Sequence, residues 1–321
     1  MASLVLLGLA ALLGTGSSFS SAINGLIGRE IGLIKATFLF LSLGTGLSAI
    51  LGYWLEGNIF SADLFALFVQ QPYLLAPGLI NSFFIIVIIR STALVGTTLT
   101  TASLFSGQML MSLWLDHVGF AGLRKIPITP LRVGAVIVLL LGVTLLSLSN
   151  KKAATSPTST NNSAVSFRRK TITPWGLNLW IIAAVLVVGG LLSGASSINA
   201  VLGQQTGVFT ATLFFLGPGV LLLPLLSLVI DPFSLQVIKS WRPLYVIPGL
   251  LNVLSIAGSV FLIPILGVQL MVSTVFTAKV LTGLLIDGLG LFGLPRSPIT
   301  RLRLLAAAVL SLGVTLSSFY G

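Results

Sequence analysis

Only 7% of the 321 residues are charged while 55% are hydrophobic, and the mean hydropathy of +1.10 excludes an ordinary soluble domain. The net charge of +11 does not mark a nucleic-acid binder, because the basic residues are scattered through polar segments between apolar runs rather than gathered on one face. With no Cys and a single His, a metal site has almost no ligands, no cofactor is expected, and no nucleophile and base stand at a spacing that would suggest an enzyme.

In chain order, apolar runs near residues 2–20, 33–55, 73–91, 96–115 and 131–149 predict five membrane-spanning helices. Each is close to the roughly 20 residues that cross about 30 Å of hydrocarbon, and none shows the period-2 alternation of barrel strands. Residues 150–174, with SPTSTNNSA at their centre and basic clusters on either flank, predict a flexible linker. Five further runs follow near 176–196, 208–230, 244–264, 267–286 and 302–319. The first run is expected to persist as a helix rather than be cleaved as a signal, since no basic residue precedes it and its counterpart at 176–196 is internal.

That counterpart exists because the chain is a tandem duplication. Pro77 to Ser147 lies without a gap on Pro248 to Ser318 at a shift of 171, bringing Asn81 onto Asn252, Phe105 onto Phe276, Asp116 onto Asp287 and Pro127 onto Pro298. Upstream, at a shift of 175, Asn24, Gly28, Gly32, Ala36 and Thr37 fall on Asn199, Gly203, Gly207, Ala211 and Thr212. The expected fold is therefore all-α and integral to the membrane: residues 1–149 form a first five-helix repeat and 175–321 a second. Because five is odd, the two copies must be inverted relative to each other, giving ten transmembrane helices in the arrangement of secondary transporters.

Charge sets the expected orientation. Of the 17 lysines and arginines, only Arg124, Lys125 and Arg132 fall to one side; Lys279 lies inside a span and the rest fall to the other. The richer side is cytoplasmic by the positive-inside rule, which puts linker 150–174 inside and both termini outside. The basic clusters flanking the linker also suit contact with anionic membrane lipid, although topology alone accounts for them.

The string GQMLMSLWLDHVGFAGLRKIPITPLR, from Gly107 to Arg132, followed by an apolar helix ending in Gly-Val, resembles the signature of a bacterial inner-membrane family of the drug/metabolite transporter superfamily, catalogued as domain of unknown function 606. The stretch SAINGLIGREIG, from Ser21 to Gly32, is similar to that family's other recognisable element. The resemblance covers nearly the whole chain, once per half. It implies an inner-membrane exporter of small molecules, here as a fused, self-contained pseudo-dimer whose further homo-oligomerisation stays open. The second copy departs from the pattern where Lys279 and Gly288 replace Gln108 and His117.

Few side chains inside the spans can meet a small-molecule substrate. Lys279 is the one charged residue placed deep in a span, where an ammonium costs roughly 2.5–3.5 kcal/mol and so suggests either docking of an anionic or carbonyl-bearing substrate or a stem that snorkels to the boundary. Gln108 is its repeat partner. Asn81 and Asn252 follow a Pro-Gly expected to open the helix toward a cavity, or else bond neighbouring helices. Asn24 and Asn199 are expected to end the first helix of each copy, as caps or ligand contacts. Asp116 and Asp287 end the fourth and ninth spans beside basic residues of the following loop, as boundary ion pairs or matching gates. Gly217, Pro218 and Gly219 should break or bend the seventh span, by packing need or as a hinge. The rival to a transporter is a membrane scaffold or lipid-interacting module whose polar span residues only hold helices together.

Overall fold

A computed structural model of the chain describes residues 2–57, 61–95, 97–154, 175–230, 242–293 and 299–318. Among these every regular element is helical. The first half contains α1 (Ala2–Ile31), α2 (Leu33–Glu56), a short α3 (Ala62–Gln70), α4 (Ala76–Val95), α5 (Thr97–Val118) and α6 (Pro130–Ala154). The second contains α7 (Trp175–Thr206), α8 (Val208–Ile230), α9 (Val246–Leu266), α10 (Val268–Leu289) and α11 (Arg301–Ser318).

Eight segments are long and apolar enough to cross a membrane: Leu4–Ile31, Ile34–Glu56, Pro72–Thr92, Pro130–Leu148, Leu179–Thr206, Pro243–Leu266, Val268–Leu289 and Arg301–Ser318. Helices suit this environment because every backbone N–H and C=O between the ends is satisfied within the segment. Of the other two long helices, α5 is diluted by Thr97, Thr98, Thr100, Thr101, Ser103 and Gln108, and α8 contains the shorter apolar stretch Val208–Pro224. Both stand where the fourth and seventh spans were expected. Exposed Trp54, Phe65, Trp180 and Leu221 are the faces a lipid environment would cover.

The two halves meet through contacts that recur under the repeat shifts. A Cβ on Gly142 of α6 would overlap Leu310 of α11, and one on Gly313 of α11 would overlap Leu139 of α6. Likewise Gly14 of α1 lies against Val275 and Ala278 of α10, while Gly189 of α7 lies against Leu104 and Gln108 of α5. Such close approach needs the missing side chain, since with lipid outside as apolar as the interior, helix association relies on van der Waals fit. Met109, Val136, Leu139, Val143, Phe276 and Leu310 form one buried cluster across α5, α6, α10 and α11.

Several sequence expectations need correcting. Helices α1 and α7 do not stop near residues 20 and 196 but run on to Ile31 and Thr206, because Asn24 and Asn199 beyond those points stay within the helical ladder rather than ending it. Helix α6 extends to Ala154, past the span end expected at residue 149; positions 155–174 of the expected linker lie outside the described residues. Gly217-Pro218-Gly219 does not break α8, which continues through both Pro218 and Pro224. Pro77-Gly78 and Pro248-Gly249 open no helix either. They sit in the first turns of α4 and α9, where a Pro removes an N–H that has no intrahelical partner anyway.

Candidate functional site

Two chain reversals place backbone amides opposite carboxylates of the other half. Gly207 joins α7 to α8 with φ +104°, and Gly267 joins α9 to α10 with φ +83°, a region an L side chain rarely enters. At Gly207 an added Cβ would collide with the carboxylate of Glu56, and at Gly267 it would crowd both oxygens of Asp116. The absence of a side chain is what lets each carboxylate reach a helix start.

At α10, Asp116 Oδ1 accepts from the Val268 N–H at 2.7 Å and Oδ2 from the Gln269 N–H at 3.1 Å. Oδ2 also accepts from Arg132 Nη2 at 2.5 Å. Arg132 in turn donates through Nη1 to the Ile126 carbonyl at 3.0 Å and, at 3.4 Å, to that of Pro127. Both side chains are buried, at 3% and 4% exposure for the whole residues. Such a charge is tolerable because its lone pairs are filled by an arginine and by amides at the positive end of a helix dipole. Beside them Gln269 is buried with its Oε1 unpartnered.

At α8, Glu56 Oε1 accepts from the Phe209 N–H at 2.8 Å, and Oε2 accepts from the Thr210 N–H at 2.8 Å and the Thr210 hydroxyl at 2.9 Å. The two caps belong to one end of the molecule, since a single buried cluster joins Leu74, Ile198, Leu202, Ala211 and Val260 and packs against Phe68, Phe120 and Leu123. A cavity of about 360 Å³ opens beside it, lined by Glu56, Ser61, Asp63, Gln205, Thr206 and Thr210.

The opposite end is built differently. Asp287, the repeat partner of Asp116, has a side chain 48% exposed, lies 4.0 Å from Arg303 and makes no hydrogen bond among the described residues. Glu30 there pairs with exposed Arg242 at 3.2 Å and accepts from the Tyr245 hydroxyl at 2.7 Å. Gly32, the counterpart of Gly207, again has positive φ at +94°, and the repeat partner of Glu56 that would face it, Asp231, lies outside the described residues.

The remaining sequence candidates are spread along the helices rather than gathered at one point. Lys279 is half-buried in α10 without a hydrogen-bond or ion-pair partner among the described residues. Gln108 is half-buried on α5, and its main-chain carbonyl accepts from the Ser193 hydroxyl of α7 at 3.0 Å. Asn81 is buried and donates to the Phe215 carbonyl of α8 at 3.3 Å, a helix-to-helix bond. Asn252 makes no equivalent bond among the described residues. Asn24 and Asn199 lie inside α1 and α7, not at their ends, so the capping role falls away; each instead has a buried, unpartnered Oδ1. Asp116 and Asp287 face Arg132 and Arg303 of the next helix rather than a loop residue, because the chain folds back immediately after Gly119 and Gly290.

Glu56 was missed by the sequence reading. The signal was present: at the shift of 175, Glu56 falls on Asp231, so four of the chain's 6 acidic residues form two repeat pairs. Asp231 itself lies outside the described residues. Among those that are described, no group of three or more His, Asp or Glu stands close enough to hold a metal ion.

Comparison with known proteins agrees with this architecture. A solved structure described as "Crystal structure of protein" superposes with a TM-score of 0.63 at 15% identity, covering 99% of this chain and 96% of that one, which is a likeness of fold alone. No curated protein matches the chain. The family model described as "Putative inner membrane exporter, YdcZ" matches twice, over residues 5–145 and 179–316, once in each half. This multipass helical membrane protein is therefore a fused two-copy member of that inner-membrane family.

Proposed function

We propose that the chain exports a small metabolite or drug-like molecule by alternating access, its ten long helices forming two inverted five-helix repeats that rock against each other around a site near the bilayer centre. The observation that carries this reading is the reciprocity of the interface, in which Gly142 meets Leu310 and Gly313 meets Leu139. Two copies that use the same surfaces on each other have two equivalent ways of closing, one at each end. The family match supports transport as the task. In this reading both termini and the Asp116 end face outward, the linker is cytoplasmic, and the protein lies in the bacterial inner membrane.

Lys279 is the proposed substrate contact, with Gln108, Asn252, Asn24 and Asn199 as neutral companions. A lysine inside a span with no partner among the described residues favours a neutral or anionic ligand over a lipophilic cation. The test is thermal stability of the purified protein and its Lys279→Gln variant against amphiphilic, anionic and cationic metabolites. A ligand that binds only the folded state adds about 2.7 kcal/mol at one hundred times its dissociation constant. A compound that stabilises the wild type and not the variant supports the assignment; equal stabilisation of both removes Lys279 from the site. The scaffold alternative finds support in Asn81, whose amide is spent on helix packing. It predicts no ligand response at all.

A further inference from the structure

We infer that Asp116 and Asp287 are alternating latches, each closing one end of the molecule by capping the first turn of the other copy's helix, and that Glu56 is a second latch at the end that is shut here. This rests on the alternating-access reading above and adds what holds each state in place. The shut end is the one where Glu56 and Asp116, both from the first copy, cap α8 and α10 of the second. Five hydrogen-bond donors of the second copy, four of them backbone amides of helix starts, converge on those two carboxylates, and Arg132 of the first copy adds a sixth.

Repeat symmetry says where the other state's bond must form. Val268 and Gln269, which Asp116 caps, fall on Thr97 and Thr98 at the shift of 171, and these are the first two residues of α5. Asp287 therefore has a ready-made partner in the amides of Thr97 and Thr98. It does not use them in this structure, where it is half-exposed and 4.0 Å from Arg303. Arg132 and Arg303 are themselves repeat partners and remain buried at 4% and 7% exposure, so each stays in place to hold its aspartate whether or not that aspartate is docked. Both aspartates cannot dock at once if the copies rock as rigid bodies, because closing one end opens the other.

The experiment uses the full chain, which has no native Cys, carrying Lys125→Cys and Gln205→Cys with a spin label on each, exposed positions of the first and second copies at the shut end. Distance distributions in lipid nanodiscs are compared across variants. Asp116→Asn should raise the longer-distance population about ten-fold relative to the short one, the size expected on loss of a charge-assisted hydrogen bond. Asp287→Asn should shift it the opposite way, and the double variant should return toward the wild type. Glu56→Gln leaves the Asp116–Arg132 pair untouched and should also lengthen the distance, which keeps the test usable if Asp116→Asn does not fold. Unchanged distributions in both Glu56→Gln and folded Asp116→Asn, or shifts of the same sign in Asp116→Asn and Asp287→Asn, overturn the latches. The two levels of failure are separable: a distribution that still interconverts between two distances but ignores these carboxylates sinks the latches alone. A single fixed distance under every variant sinks alternating access as well.

Discussion

Phe105 on α5 and Phe276 on α10 are repeat partners that stack on each other, with ring centroids 4.0 Å apart and planes at 33°. A residue that touches its own counterpart lies where the two copies face one another, and here both rings close the buried cluster around Met109, Leu139 and Leu310. Phe105→Ala and Phe276→Ala should each lower stability by about 3 kcal/mol through the cavity left behind. Because the second truncation enlarges a hole the first has already opened, the double variant should lose less than the sum. Thermal unfolding in detergent measures all three, and strict additivity would show that the rings do not share one packing site.

The glycines that let helices touch are distinguishable from those that merely sit in helices. Gly189→Ala would drive a methyl into the Leu104 carbonyl oxygen and against the Gln108 amide, and backbone cannot turn aside. Gly194→Ala, on the same helix, meets nothing within 4 Å. The first should therefore destabilise by about 1–3 kcal/mol as overpacking does, while the second should be neutral or gain up to about 1 kcal/mol of helix propensity. Melting midpoints of the two variants give the comparison directly; equal midpoints would mean that α5 and α7 do not pack through Gly189.

How much of this was legible in the sequence depends on which signal fixed it. Apolar run length and the repeat shifts place the long helices and mark Phe105 and Phe276 as counterparts, because both are properties of the chain itself; that the two rings touch comes from the fold. The ends of α1 and α7 lie further along than the apolar runs indicate, because a polar residue such as Asn24 looks like a stop in sequence, whereas in a membrane helix it remains within the ladder. Pro218 and Pro77 misled in the same way, since a Pro breaks nothing when it occupies a first turn or when neighbouring helices hold the strand of hydrogen bonds around it. The carboxylate caps were invisible for another reason. Glu56 and Asp116 act on amides roughly 150 residues away, and a backbone N–H has no sequence signature. Only the recurrence of Glu56 as Asp231 marked the position.

The two repeat-related aspartates should differ sharply in their contribution to stability. Asp116→Asn leaves Arg132 buried opposite a neutral amide and weakens the cap on α10, a loss of about 3–5 kcal/mol for breaking a buried pair. Asp287 is half-exposed and 4.0 Å from Arg303, so solvent screens the pair and Asp287→Asn should cost less than about 1 kcal/mol. Melting midpoints at low and high salt check both parts. The Asp287 effect should fade with salt and the Asp116 effect should not, because a pair sealed from water is little screened.

Lys279 should show the opposite balance between stability and activity. Its ammonium sits within the span Val268–Leu289 with no internal partner among the described residues, and a charge there is unfavourable by roughly 2.5–3.5 kcal/mol on insertion scales. Lys279→Met keeps the length of the stem and removes the charge. If Lys279 is kept for a ligand, the variant should melt at a higher temperature than the wild type and yet give no stabilisation by any anionic compound that stabilises the wild type. A structural role predicts the reverse, because a lysine that anchored a neighbouring helix or reached the boundary would take stability with it when replaced. A variant that melts lower and still responds fully to the ligand would assign Lys279 to packing and leave the site to Gln108 and the asparagines.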